Sequence, residues 1–342
     1  MSDTRIAEER IPAPAARRPR RRWLSLLRLV LAVVLLATVL IWKDNGARAL
    51  DLLRRIAPGT LAALLALSFA VNWISMLKWR LILRERGSDL PRLMLMRLYL
   101  VGKFFSNFAP SMIGGDVARV VMLSRETGSG SRAAASVLIE RFTGLATLIV
   151  LAIVAAATSP RLQQHPIVTT GVIGASLACV AALLVTWSPH ARRWCVAAAR
   201  SWPLLRTPAT WLASLQAELA ASLRPGLMLT GTILYSIAFY AVCSVSVYVA
   251  ARAIGFDASY AAVAQLTPVL YLVSAIPVST NNLGWWEWCF SVLLLDIGAT
   301  LEQGLAVGLT LRIVTLVVSL TGGIWLLARG PDGTAGTRTD QH

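Results

Sequence analysis

Apolar residues in this chain fall in long unbroken blocks rather than in the period-two or period-3.6 stripes of half-buried elements. Blocks at about 23–42, 59–77, 133–157, 166–187, 227–251 and 303–328 approach or exceed the roughly 20 residues that cross a bilayer core. They predict six full membrane spans. A polar-apolar segment at 46–57 (ARALDLLRRIAP) predicts a short amphipathic helix on the far membrane surface. Two further apolar regions are interrupted. In 92–127 an apolar segment ends at Asn107-Phe108-Ala109-Pro110-Ser111, followed by Gly114-Gly115-Asp116 and a short segment with Arg119 and Arg125. Proline removes a backbone donor and glycine loosens a helix, so a break is predicted near 107–115. In 262–298 the breaks fall at Pro277 and at Asn281-Asn282-Leu283-Gly284, leaving arms of about 15 residues, short for a span. Irregular backbone at membrane depth is tolerated only inside protein or beside a wet cavity. Each region is therefore expected to be a re-entrant helical hairpin, the first entering from the cytoplasm and the second from outside.

The fold expected is an all-α polytopic membrane protein of six spans and two broken hairpins, eight or so membrane segments. Residues 1–22 are expected to be a disordered basic cytoplasmic tail, 23–328 the membrane domain, and 329–342 a second disordered cytoplasmic tail. The membrane domain divides into halves at about 23–157 and 166–328. Each half crosses an odd number of times, which makes an inverted repeat of the kind used by secondary transporters an open expectation.

Composition excludes the main alternative. Of 342 residues, 56% are hydrophobic and 15% charged, against about 25% charged in a soluble chain, so a soluble enzyme is ruled out. The net charge of +16 would suggest nucleic acid in a soluble protein. Here the basic residues sit between apolar blocks, as in cytoplasmic loops facing anionic lipid, and no nucleic-acid partner is expected. Lys43, Arg48, Arg54, Arg55, Arg161 and Arg252 fall outside, Arg28, Arg141 and Arg312 within spans, and the remaining basic residues inside. That asymmetry puts both termini in the cytoplasm. The basic stretch at 17–22 before an apolar run resembles a signal peptide, but the run at 23–42 is too long for an h-region and is read as a retained span. The arginine- and alanine-rich usage points to a bacterial inner membrane. The four cysteines stand apart and His165, His190 and His342 are scattered, so no disulfide framework, metal site or cofactor is expected. No phosphate-binding P-loop is present.

Candidate chemistry rests on ionisable residues inside membrane segments, which cost about 2.5–3.5 kcal/mol each at the bilayer centre on insertion scales. The inner set is Lys103, Asp116, Arg119, Glu140 and Arg141. Asp116 and Arg119 share a helix face, whereas the consecutive Glu140 and Arg141 point about 100° apart. Pairing Arg119 with Glu140, or Asp116 with Arg141, would satisfy the set, either as a structural network or as headgroup contacts. Asn107, Ser111, Gly114 and Gly115 lie at the first break, where free amides at a half-helix N-terminus bind anions or glycines serve backbone geometry alone. The outer set is Asn281, Asn282, Gly284, Glu287 and Arg312, with Glu287 and Arg312 the natural buried pair. Trp285, Trp286 and Trp288 are read as an interfacial belt, and Gly322 and Gly323 as helix-packing residues.

The run from Asn107 through Gly114-Gly115-Asp116 to Arg119 resembles the signature of the lysylphosphatidylglycerol synthase transmembrane, or flippase-like, family. Glu140-Arg141 followed by Gly144-Leu145 is similar to its second block, and Ile276-Pro277 through Leu283-Gly284 to Glu287, then Gly298 and Arg312, to its C-terminal block. The best-understood members append a cytoplasmic aminoacyl-transfer domain and move the aminoacylated lipid between leaflets. No residues after 328 make room for such a domain here, so the resemblance implies a stand-alone membrane member. Asn281-Asn282 also stands where the family often has a Gly-Gly pair. The function expected is translocation of an anionic or modified lipid headgroup between leaflets, without enzymatic activity. Its partners would be membrane lipids of the anionic phospholipid or polyprenyl-phosphate type. The rival readings are a non-transporting scaffold or accessory subunit for an envelope-biosynthesis enzyme, and a lipid-modifying enzyme.

Overall fold

The computed structural model describes residues 45–108, 114–159, 226–276 and 278–328, with scattered positions between 170 and 193. The expected tails, the first span at 23–42, most of the fourth at 166–187, the basic loop 188–225 except at scattered positions, Ser111 and Pro277 lie outside the described residues. The described elements are helical, with no strand among them. In order they are α1 (Asn45–Arg54), α2 (Pro58–Glu85), α3 (Arg92–Phe108), α4 (Gly114–Thr127), α5 (Gly130–Thr158), α6 (Leu227–Ala253), α7 (Tyr260–Ser274), α8 (Trp285–Leu293) and α9 (Leu301–Ala328).

Local chemistry accounts for where these helices start and stop. Pro58 opens α2 at a position where its missing N–H leaves nothing unpaired. Ser129 and Ser259 cap α5 and α7, accepting from the amides of Arg132 and Ala262 at 3.4 and 3.2 Å. Among the described residues, α2, α5, α6 and α9 are long and apolar enough to cross a membrane. At 1.5 Å per residue, a 28-residue helix spans about 42 Å, more than the roughly 30 Å hydrocarbon core. Their outward faces carry exposed Val150, Val154, Ile324 and Leu327, a surface that suits lipid and not water.

The elements repeat as span, broken helix pair, span. α2, α3/α4 and α5 are followed by α6, α7/α8 and α9. Packing between the two sets is reciprocal. The opening spans α2 and α6 pack together, α9 closes over α3, and α5 closes over α7. The main apolar core lies where α5, α6, α7, α8 and α9 meet, around Leu148, Val247, Leu270, Phe290 and Val307.

The α3–α9 contact depends on glycine. A Cβ on Gly322 would sit 2.1 Å from the Leu100 carbonyl oxygen, and one on Gly323 would meet the Phe104 ring at 2.7 Å. Both are packing residues, as their small size suggests. Backbone cannot yield as a flexible side chain can, so Gly322→Val is expected to force α9 off α3. An expression and thermal-melting comparison with wild type should show loss of folded protein, whereas Gly59→Ala, which meets nothing within 4 Å, should be close to neutral.

Candidate functional site

The end of α3 meets the turn that precedes α8. The Asn281 amide donates to the Asn107 carbonyl at 2.9 Å, joining the end of α3 to the turn before α8. Around this junction lies a cavity of about 440 Å³, within the usual range for a ligand site. Both helix pairs and all four long helices contribute to its wall.

On the α4 side the charges interlock. Arg119 and Glu140 are buried, at 3% and 7% exposure, and their side chains form a close ion pair. The Arg119 guanidinium is held between the Trp79 and Tyr99 rings, 4.1 and 4.5 Å from their centroids, a desolvated cation–π arrangement. The Tyr99 hydroxyl donates to the second Glu140 oxygen at 3.3 Å, and Trp79 is itself fixed by its indole N–H on Ser136 Oγ at 3.1 Å. Asp116 takes the other arginine. Arg141 Nη2 donates to Oδ1 at 2.9 Å and Nε to Oδ2 at 3.2 Å, a forked geometry at the more exposed rim of the site. Both pairings that the inner set allowed are thus present together.

Glycine makes this packing feasible. A Cβ on Gly115 would lie 1.9 Å from Ser106 Oγ and 2.2 Å from the Gly102 carbonyl oxygen, and one on Gly102 would strike the Arg119 side chain at 2.5 Å. Gly115 is buried between the arms, so close approach by itself requires a glycine at this place in the motif. Gly114 is half-buried beside it.

On the α8 side Glu287 is 1% exposed. It accepts from the Gly284 amide at 2.8 Å, capping α8, and forms a close ion pair with Arg312 of α9. Arg312 also donates to the carbonyls of Asn281 and Asn282, at 3.4 and 2.8 Å. Both asparagines, like Gly284, adopt positive φ, at 52°, 55° and 77°. The left-handed turn that glycine would form freely is here made by asparagine, the non-glycine residue most tolerant of it, and is tied down by Arg312.

Of the residues singled out from sequence, Lys103, Asn107, Asp116, Arg119, Arg141, Asn281, Asn282 and Arg312 line the cavity, while Glu140, Gly114, Gly115, Gly284 and Glu287 are not part of the lining. Two sequence readings need correction. Lys78 falls in the basic stretch expected after the second span, but α2 continues to Glu85 and buries it, with Nζ donating to the Glu140 carbonyl at 2.8 Å. Hydropathy ends the span at the first charge because it cannot register a partner on another helix. The three tryptophans are not a simple interfacial rim. Trp285 and Trp286 donate their indole N–H groups to the Val273 and Gly308 carbonyls, each at 3.1 Å, and Trp286 reaches the cavity wall, because α8 is wedged between α7 and α9. Sequence reasoning also missed Tyr99, Asn72 and Tyr271 in the wall. A lone polar residue within an apolar block, such as Asn72, is the signal that was there to be used.

These features define a class: a multi-pass helical membrane protein with a charged interior cavity built at two helix breaks. The lysylphosphatidylglycerol synthase TM region family matches residues 25–323, and the chain belongs to it. No curated protein matches the chain.

Proposed function

We propose that this protein is a lipid translocase that moves an anionic or modified lipid headgroup between leaflets of a bacterial inner membrane. It would do so as a transporter rather than an enzyme. The observation that carries this reading is the wall of the cavity. Lys103, Arg119, Arg141 and Arg312 line it against one carboxylate, Asp116, and between them lie apolar Leu64, Val71, Leu311 and Val314. Such a wall receives a charged headgroup while acyl or prenyl tails remain in lipid. The α3/α4 and α7/α8 pairs are hairpins entering from opposite faces, and both termini are cytoplasmic. The reciprocal packing supports this, because two halves of opposite orientation offer equivalent interfaces for alternating access. Headgroup passage then requires the Asn107–Asn281 contact to open.

The test is translocation of fluorescent phosphatidylglycerol in proteoliposomes. Wild type is expected to move it. Arg141→Ala, which alters a half-exposed rim residue and should leave folding intact, is expected to slow movement by about tenfold, equivalent to about 1.4 kcal/mol. If folded wild type moves no anionic lipid, the accessory-subunit reading takes its place.

A further inference from the structure

The cations of the cavity are not equivalent. Arg119 is paired with Glu140, Arg141 with Asp116 and Arg312 with Glu287. Lys103 lines the same cavity, yet among the described residues no carboxylate lies within ion-pair distance of its ammonium, and no hydrogen bond is made by it. Asp116, the carboxylate of the wall, is already held by Arg141 at 2.9 Å. One helical turn further along α3, on the same face, the Asn107 side-chain nitrogen is buried without a hydrogen-bond partner, although the carbonyl of that residue is occupied by Asn281. Two unmatched donors, one of them charged, therefore face one cavity from adjacent turns. Lys103 is half-buried, and a cation partly withdrawn from water without a partner is unfavourable, while a buried donor left unsatisfied costs about 1–3 kcal/mol. An anion with several acceptor oxygens removes both costs. Across the junction, Asn282 Oδ1 is buried and unpartnered while its nitrogen is spent on the Ser274 carbonyl at 2.5 Å. That leaves an acceptor for a hydroxyl neighbouring the anion.

We infer that Lys103 and Asn107 form the seat of a phosphate group carried by the headgroup of a net-negative lipid, and that Lys103 sets the preference for such lipids over zwitterionic ones. The inference rests on the translocase reading for its lipid and on the unmatched donors for its chemistry. An anion at this seat also neutralises the excess positive charge beside the Arg119 and Arg141 pairs without displacing either arginine from its carboxylate. The resident pairs act as scaffold, and Lys103 acts as ligand.

Binding, read separately from transport, decides this. Purified full-length protein in detergent would be titrated with dihexanoyl phosphatidic acid, dihexanoyl phosphatidylcholine and inorganic phosphate, following tryptophan fluorescence. Phosphatidic acid is expected to bind wild type at least tenfold more tightly than phosphatidylcholine. Lys103→Met should weaken it about tenfold or more, as for a hydrogen bond to a charged group, Lys103→Arg should restore most of it, and binding of phosphatidylcholine should not change. Asn107→Leu is the second variant and should weaken phosphatidic acid about tenfold even if Lys103→Met fails to fold. Equal affinity for both lipids, or phosphatidic acid binding indifferent to both substitutions, overturns the seat. Inorganic phosphate binding as tightly as phosphatidic acid and with the same Lys103 dependence overturns the lipid as occupant. Lys103-dependent lipid binding with no translocation upholds the seat and overturns the translocase.

Discussion

Arg119→Gln is expected to cost about 3–5 kcal/mol of stability, the penalty for breaking a buried ion pair from one side. The loss is large because the substitution strips Glu140, 7% exposed, of its cationic partner while leaving its charge in place. It also empties the space between Trp79 and Tyr99, where the guanidinium packs at 4.1 and 4.5 Å. Glu140→Gln should cost a similar amount, since it leaves Arg119 with only Asp116, 3.8 Å away and already engaged by Arg141. Arg119→Gln combined with Glu140→Gln should be less damaging than the sum, because neither uncompensated charge remains. Detergent-phase melting of wild type, both single variants and the double variant closes the cycle. Additive losses would mean that the two side chains act independently, contrary to their contact.

Glu287→Ala is expected to be comparably severe, about 3–5 kcal/mol, for reasons that can be separated. The carboxylate both caps α8 through the Gly284 amide and neutralises Arg312. Glu287→Gln keeps an oxygen for the cap and loses the charge, so it should recover about 1 kcal/mol relative to alanine, the typical worth of a cap. Either change loosens Arg312, and with it the carbonyls of Asn281 and Asn282. These residues hold positive φ at about 1–2 kcal/mol each, so the turn should open before the helices do. A single cysteine at the exposed Leu283, labelled with a maleimide, would report this as faster modification below the melting midpoint. Labelling unchanged from wild type would show that the turn is held by something other than Arg312.

All three pairs were among those the sequence allowed, because charge inside a membrane must be answered and few residues were available to answer it. Arg119 with Glu140, Asp116 with Arg141, and Glu287 with Arg312 follow from that scarcity. The positions of the long helices, though not the C-terminal end of α2, were legible for a related reason. Long apolar blocks interrupted by proline, glycine and asparagine leave little freedom, so the expected second span at 59–77 is α2, the one at 133–157 is α5, the one at 227–251 is α6 and the one at 303–328 is α9. What could not be read depends on contacts between elements distant in sequence. Lys78 looked like a loop cation because its acceptor, the Glu140 carbonyl, is backbone and carries no residue-type signal. Tyr99 and Trp79 gave no signal in the sequence, because a cation–π cage exists only once α2, α3 and α4 are assembled. Lys103 was visible as an intramembrane charge, but its lack of a partner among the described residues became apparent only when the cavity's Arg119, Arg141 and Arg312 had found theirs.

The fit of Gly322 against the Leu100 carbonyl carries a further consequence, one of timing during synthesis. The residue that closes over α3 emerges from the ribosome more than two hundred residues after the residue it covers. At roughly 5–20 residues per second, that interval is on the order of 10–40 s. Arg119 and Glu140, by contrast, are 21 positions apart and emerge within seconds of one another. The early ion pair can thus hold α4 against α5 while the α3 groove waits, open to lipid, for the final helix to arrive.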